Sequence, residues 1–314
     1  MINVSNEFKT LMSERQDFKE YAEVTLANGT VLELTEDDFS IDNNSLVDSA
    51  GANSIPLGVA LSRNVQLEIM NDDDHLSDYD FFGAKIRLYL TFELSSTIEK
   101  IEYGTFTVTQ PETYGSVVTI VGYDDMYKAD KTYSTTLTFP ATAKSVLIDS
   151  CDTCGILIGD SNFLHNDFQI PSMPSSEYTH RQIIGFIAMI ACGNARIDRT
   201  GHLQIMTYDF NYDSGNVHTL TDYNTLTNDT NDVQVTGVQM TKTVTKTTTD
   251  EDGNENEEDV EELVKYGSDG YVLEIENPLV AGHEETLVSW IYDGLYFLSN
   301  CRVWRQDKDY RLAR

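Results

Sequence analysis

Cys151 and Cys154 are separated by two residues, the spacing of half a zinc site or of a redox dithiol. A structural zinc site usually adds a second such pair or nearby histidines, and the other cysteines, Cys192 and Cys301, bring no close ligand partner. Both members of the pair also fall on the apolar face of a predicted helix, where reduced cysteine packs as a small hydrophobe. Core packing is the expected role. Asn71-Asp72-Asp73-Asp74-His75-Leu76-Ser77-Asp78-Tyr79-Asp80 offers oxygen ligands for calcium. It lacks the glycine placement and terminal Glu of an EF-hand loop, and so does Asp250 to Asp259, where Gly253 comes too early. Both stretches are expected to be solvated segments between strands.

The six histidines (His75, His165, His180, His202, His218, His283) contain no H-E-x-x-H spacing, and His283-Glu284-Glu285 has no second histidine four residues on. Most fall in predicted turns or helix starts, as surface or satisfied positions. No G-x-S-x-G, G-x-G-x-x-G or P-loop occurs. With 52 Asp plus Glu, carboxylate pairs are too numerous for one to stand out as an acid/base dyad. No catalytic, cofactor-binding or metal-ligating residue is nominated, no cofactor is expected, and the chain is not expected to be an enzyme.

The elements that would position any site begin with strands. Glu23 to Leu26 and Val31 to Leu34 flank Ala27-Asn28-Gly29-Thr30, a hairpin in which Asn-Gly suits a tight type I′ turn. Val65–Ile69, Lys85–Leu90, Gly104–Val108 and Ser116–Tyr123 alternate apolar and polar residues, indicating an antiparallel barrel or sandwich. After Pro140 the period turns helical. Ala143, Val146, Leu147, Ser150, Cys151 and Cys154 share a face, with Thr142 to cap the start and Gly155 to stop it. Thr179 and Gln182 form a capping box ahead of a helix over Ile183–Cys192, ended by Gly193-Asn194. Ala195–Ile197 and His202–Ile205 form a hairpin about Asp198–Gly201. Strands resume at Asp232–Met240 and run through Thr249. Asp-Gly at 252–253 then predicts a long hairpin with a charged tip and a return strand over Val260–Tyr266. Tyr271–Ile275 is a further strand, and Glu284–Leu298 a helix with acids in its first turn. Three parts result: a strand-built unit over 1–130, a small α+β unit over 131–206, and a second strand-built unit with a late helix over 207–314.

The chain of 314 residues can bury a sizeable core. Its 21 Lys plus Arg leave a net charge of −31, which opposes binding along a nucleic-acid backbone. A hydrophobic content of 40% and an aromatic content of 10% mark a folded chain and not an acidic tail. The longest apolar run, Ile183–Cys192, is about half of what a bilayer crossing needs. Met1 to Glu7 lacks the basic start and apolar stretch of a secretion signal. A soluble protein made inside the cell is expected.

The succession of motifs carries a resemblance. Leu26-Ala27-Asn28-Gly29-Thr30 and Leu34-Thr35-Glu36-Asp37-Asp38-Phe39-Ser40 are followed by Ile55-Pro56-Leu57-Gly58-Val59-Ala60 and Val65–Asp72. Tyr103–Val108, Val121–Met126, Arg181–Ala188 and Asn194–Leu203 complete the series. In order and spacing, over roughly the whole chain, this resembles the baseplate hub family of bacteriophage and prophage tails, including the N-terminal part of tail-associated proteins. The resemblance implies two β-barrel tube domains flanking a small α+β domain, a mainly β fold with α+β. It implies a homotrimer whose six barrels continue the sixfold tail tube into the threefold spike or fibre. It also implies contacts with the tail tube or distal tail protein ring and the tape measure protein, DNA passage without specific binding, and a place in the virion tail. The late helix runs close to Arg314, so the second barrel is expected to be short of strands. The rival expectation is a secreted β-protein that binds carbohydrate or hydrolyses cell walls, or one that depends on calcium through Asp72 to Asp80.

Overall fold

Alternating apolar residues turn the first third of the chain into one antiparallel sheet. A computed structural model describes residues 4–13, 18–40, 43–48, 56–110, 113–207, 217–220, 235–249, 255–298, 304–306 and 309–313. A short helix, α1 (Asn6–Ser13), precedes β1 (Lys19–Thr25), β2 (Val31–Leu34), β3 (Ser45–Val47), β4 (Ala60–Leu61), β5 (Asn64–Met70), β6 (Lys85–Glu93), β7 (Ile98–Val108) and β8 (Val117–Tyr123). All but β4 join a seven-stranded sheet in the order β2-β1-β6-β7-β8-β5-β3. Val65, Leu67 and Ile69 of β5 and Val118 and Ile120 of β8 turn into the core, while the residues between them stay partly exposed, as a period of two requires.

The sheet curls without closing. Its edge strands β2 and β3 each have one neighbour, so the expected barrel is an open sheet among the described residues. The edges nevertheless approach one another. Phe39 bridges Ile69 of β5 and the Ser40 amide donates to the Glu68 carbonyl at 2.8 Å, beside β3. The five steps from Leu34 on the opposite edge to Phe39 span at most about 18 Å. Leu46 of β3, Val65 and Leu67 of β5 and Leu88 and Leu90 of β6 consequently line one cavity of about 90 Å³.

The first hairpin forms where expected but not by a type I′ turn. Leu26 N–H donates to Thr30 O at 2.8 Å and Gly29 N–H to Leu26 O at 2.9 Å, with only Gly29 of the turn at positive φ, +86°. The loop therefore has three residues and ends in a glycine bulge. The Asn28 carboxamide accepts from Thr30 N–H at 2.9 Å, a side-chain turn that competes with the two-residue form.

The middle unit contains β9 (Ala141–Thr142), α2 (Ala143–Cys154), β10 (Leu157–Ile158), β11 (Gln169–Ile170), α3 (His180–Ile190), β12 (Gly193–Ile197) and β13 (His202–Thr207). Thr142 Oγ1 accepts from Ser145 N–H at 3.1 Å, and Gly155 closes α2 at φ +66°. Thr179 and Gln182 form the capping box of α3. That helix stops earlier than expected: Ala191 caps it, Cys192 takes the left-handed turn at φ +54°, and Gly193 already belongs to β12. The strand order is β10-β13-β12-β4, so Ala60–Leu61 crosses over from the first unit to pair in parallel with β12.

The last third holds β14 (Val217–Leu220), β15 (Val235–Thr249), β16 (Glu255–Gly267), β17 (Tyr271–Glu274), α4 (Glu284–Leu298), β18 (Trp304–Gln306) and β19 (Asp309–Ala313). The sheets are β16-β15-β17, in which β15 and β17 are parallel, and β14-β19-β18. Neither is a closed barrel, and the described strands do not repeat the order of the first sheet. Short strands follow the late helix, β18 and β19, where the sequence suggested a shortage. The paired part of the long hairpin begins at Glu255 and not at Val260, because Thr249 already faces Glu255. The expected tip at 250–254 lies outside the described residues. One core cluster runs beneath the first sheet from Ala22 to Ile120. A second joins residues from Met126 to Leu295, so α3 and α4 share one interior with the root of β15.

Candidate functional site

Arg63 lies just ahead of β5 and Asp124 just after β8, and both side chains are buried where the first sheet meets the middle unit. Asp124 caps the 3-10 turn that follows, accepting from Met126 N–H at 3.2 Å, Arg63 N–H at 2.9 Å and Ser62 Oγ at 3.1 Å. Arg63 Nε faces Asp124 Oδ2 at 3.5 Å. Its two terminal nitrogens donate to Tyr103 O at 3.1 Å and Asp198 O at 3.0 Å, and the guanidinium lies 5.4 Å from the centre of the Phe106 ring. Burial holds the Asp124 carboxyl above its ordinary value, and the backbone hydrogen bond and charge of Arg63 offset only part of that rise. Asp198 is set by its own turn, accepting at Oδ1 from Thr200 and His202 N–H and at Oδ2 from Gln204. Beside it, Asn194 donates to Pro56 O at 2.9 Å and accepts from Val59 N–H at 2.9 Å. Residues 56–63 thus clamp one unit to the next. The one signal for Arg63 in the sequence is a lone cation at the mouth of an alternating strand in so acidic a chain.

The residues weighed for chemistry do not assemble. Cys151, Cys154 and Cys192 are buried, and burial pushes the thiols of Cys151 and Cys192 up to about 12, far from thiolate reactivity. Cys301 lies outside the described residues. In the stretch 71–80, Asn71 is buried and ties the loop together through Leu76 N–H and Gly115 O. Asp73 pairs locally with His75, and Asp74 with Ser77. Among the described residues, no three His, Cys, Asp or Glu side chains converge as a metal site. His165 stacks on Trp290 at 3.6 Å with an interplanar angle of 5°, and His283 meets Phe168 edge-on. His202 bonds Thr200, and His180 is fully buried. For His218 only its place in β14 is described.

An open depression of about 340 Å³ brings Glu20 and Glu36 together with Phe18 and Phe39. Lys19 binds Glu36 at 2.9 Å and Glu93 at 3.1 Å, so the carboxylate of Glu36 is engaged in a surface ion pair. The outer face of the first sheet is also internally paired. Tyr21 and Tyr89 sit opposite one another, Lys100 Nζ lies 3.6 Å from the Tyr21 ring centre, and Arg87 bonds Glu102 at 3.1 Å through one terminal nitrogen.

No protein-family model and no curated protein matches the chain. Solved structures do. A 43 kDa tail protein of prophage MuSo2 from Shewanella oneidensis is 12% identical, with 87% of this chain and 76% of that one covered and a TM-score of 0.44. A tail protein from Neisseria meningitidis MC58 is 11% identical over 72% of this chain and 65% of its own, with a TM-score of 0.43. A chain in the virion of a native gene transfer agent particle is 12% identical over 44% and 50%, with a TM-score of 0.30. These are partial likenesses of fold. No helix among the described residues is long and apolar enough to cross a membrane.

Proposed function

We propose that the chain is a non-enzymatic structural component of a phage tail, a hub at the tail tip. Three copies would form a ring joining the sixfold tube to the threefold spike or fibre and leaving a channel for DNA. The observation that supports the reading is the order of elements: a seven-stranded antiparallel sheet, then α+β elements, then further strands with a late helix that share one core with the α+β elements. That is the order the motif succession implies. The buried Arg63–Asp124 joint supports it, since a ring component needs its units held in fixed relation. A net charge of −31 suits the wall of a passage for DNA, because an anionic bore repels phosphates along its length. Among the described residues the last third reaches a strand-built form by a different strand order, which counts against the two like barrels that the resemblance implies.

In this reading the partners are the tail tube or distal tail protein ring, the spike or fibre and the tape measure protein. Electron microscopy of the purified chain tests it directly. Threefold rings with a stain-filled centre are expected; compact particles without an opening, or release of soluble fragments from peptidoglycan by the chain, would overturn it.

A further inference from the structure

We propose that the β15–β16 hairpin is a docking arm whose face opposite α4 receives a basic, extended segment of another protein. β17 pairs with β15 only as far as Gln239. From Met240 outward, the ten residues to Thr249 pair with β16 alone, a ribbon about 33 Å long. Burial ends at Met240 and Val264, and residues 241–247 and 257–263 are exposed or partly exposed. Two strands without a covering layer are marginal in water, although the run of β-branched threonines on β15 favours the extended form.

The two faces differ in charge balance. Towards α4, Lys242 binds Glu285 at 2.6 Å and Lys246 binds Glu262 at 3.0 Å, so cations and carboxylates compensate. The opposite face sets Thr243, Thr245 and Thr247 against Glu261, Asp259 and Glu257. Its nearest cation, Lys265 at the root, is paired with Asp269. Leu263 lies on the same face, 58% exposed. Carboxylates at alternate strand positions recur about every 7 Å. Lysines or arginines at alternate positions of another extended segment repeat at the same interval, with an apolar side chain to meet Leu263. A second copy of this chain presents the same sign on the same face and is disfavoured. The inference does not depend on the tail reading.

The test uses the full chain and a fluorescent ten-residue peptide of alternating Lys and Thr, with a peptide of the same composition and contiguous lysines as control. The variant Glu257→Gln/Asp259→Asn/Glu261→Gln should bind the alternating peptide about tenfold more weakly at 0.1 M NaCl. Removing three exposed carboxylates elsewhere (Glu33→Gln/Asp72→Asn/Glu177→Gln) should weaken it less than about threefold, and the wild type should prefer the alternating peptide. Leu263→Lys adds a cation to the face and should weaken binding too, which gives an independent reading should the triple variant fold poorly. Equal losses in the arm and control variants would overturn the proposal. So would equal affinity for both peptides, or self-association in sedimentation that the arm variant alone abolishes, which would make the occupant a second copy.

Discussion

Arg63 directs its three nitrogens at Asp124, Tyr103 and Asp198, and Asp124 accepts from Ser62 Oγ and from the backbone N–H groups of Arg63 and Met126. Replacing Arg63 with Met keeps much of the side chain's volume but leaves a buried carboxylate without its cation. Arg63→Met should lower the unfolding free energy by about 3–5 kcal/mol in urea titrations; a loss under about 1 kcal/mol would mean the joint is dispensable. His180 makes a second prediction. Its Nε2 accepts from Ser134 N–H at 3.4 Å, its ring lies edge-on to Tyr133, and Nδ1 is buried without a partner. Burial lowers its pKa, helped by Lys131 and opposed by Asp149; burial also lowers that of His165, opposed by Asp167. The unfolded chain then binds more protons than the folded one at mildly acid pH, so stability is full above about 6.5 and falls as pH drops below it. The slope from one such histidine is at most about 1.4 kcal/mol per pH unit. His180→Gln should flatten the fall between pH 7 and 5; an unchanged slope would place the titrating group elsewhere.

At the scale of elements, α3 approaches the 56–61 segment so closely that a Cβ on Gly185 would lie 2.5 Å from the Gly58 carbonyl oxygen, a backbone atom. Gly185→Ala should push the helix and this segment apart, and hydrogen exchange should quicken at the amides of Gly58, Val59 and Ala195, whose bonds tie the segment to β12. Unaltered exchange there would show that the contact yields without consequence. What the sequence made legible at this scale follows from period and punctuation. The strands β5, β6 and β8 alternate cleanly, α2 and α3 carry caps, and α4 shows a broad apolar face with acids at its start. What stayed hidden has no local signature. Two-residue β4 is too short for any period, and its pairing with β12 joins residues 135 positions apart, Ala60 and Ala195. The Arg63–Asp124 pair depends on long-range contacts in the same way. α1, eight residues long, is just over two helical turns, too short a run to stand out in the sequence as a helix. Cys192 in the left-handed turn displaced the glycine that sequence rules prefer there, since Gly193 was needed in β12, where a Cβ would collide with the Met206 carbonyl.

For the molecule as a whole, the absence of enzyme motifs was plain in the sequence, whereas closure of the sheets depends on packing that patterns of two and 3.6 residues do not encode. Net charge sets the conditions under which copies can meet. At −31 per chain, like-charged subunits repel over distances comparable with the Debye length, about 10 Å at 0.1 M salt and about 30 Å at 0.01 M. Assembly should therefore tighten as salt is raised, the opposite of what pairing between unlike surfaces would give. Sedimentation equilibrium of the purified chain, run across protein concentration at 0.02 and 0.3 M NaCl, tests the ring most directly. The account predicts a species of about 106 kDa, three copies of 35.4 kDa, populated more strongly at the higher salt. A single 35.4 kDa species at every concentration and both salts would contradict it.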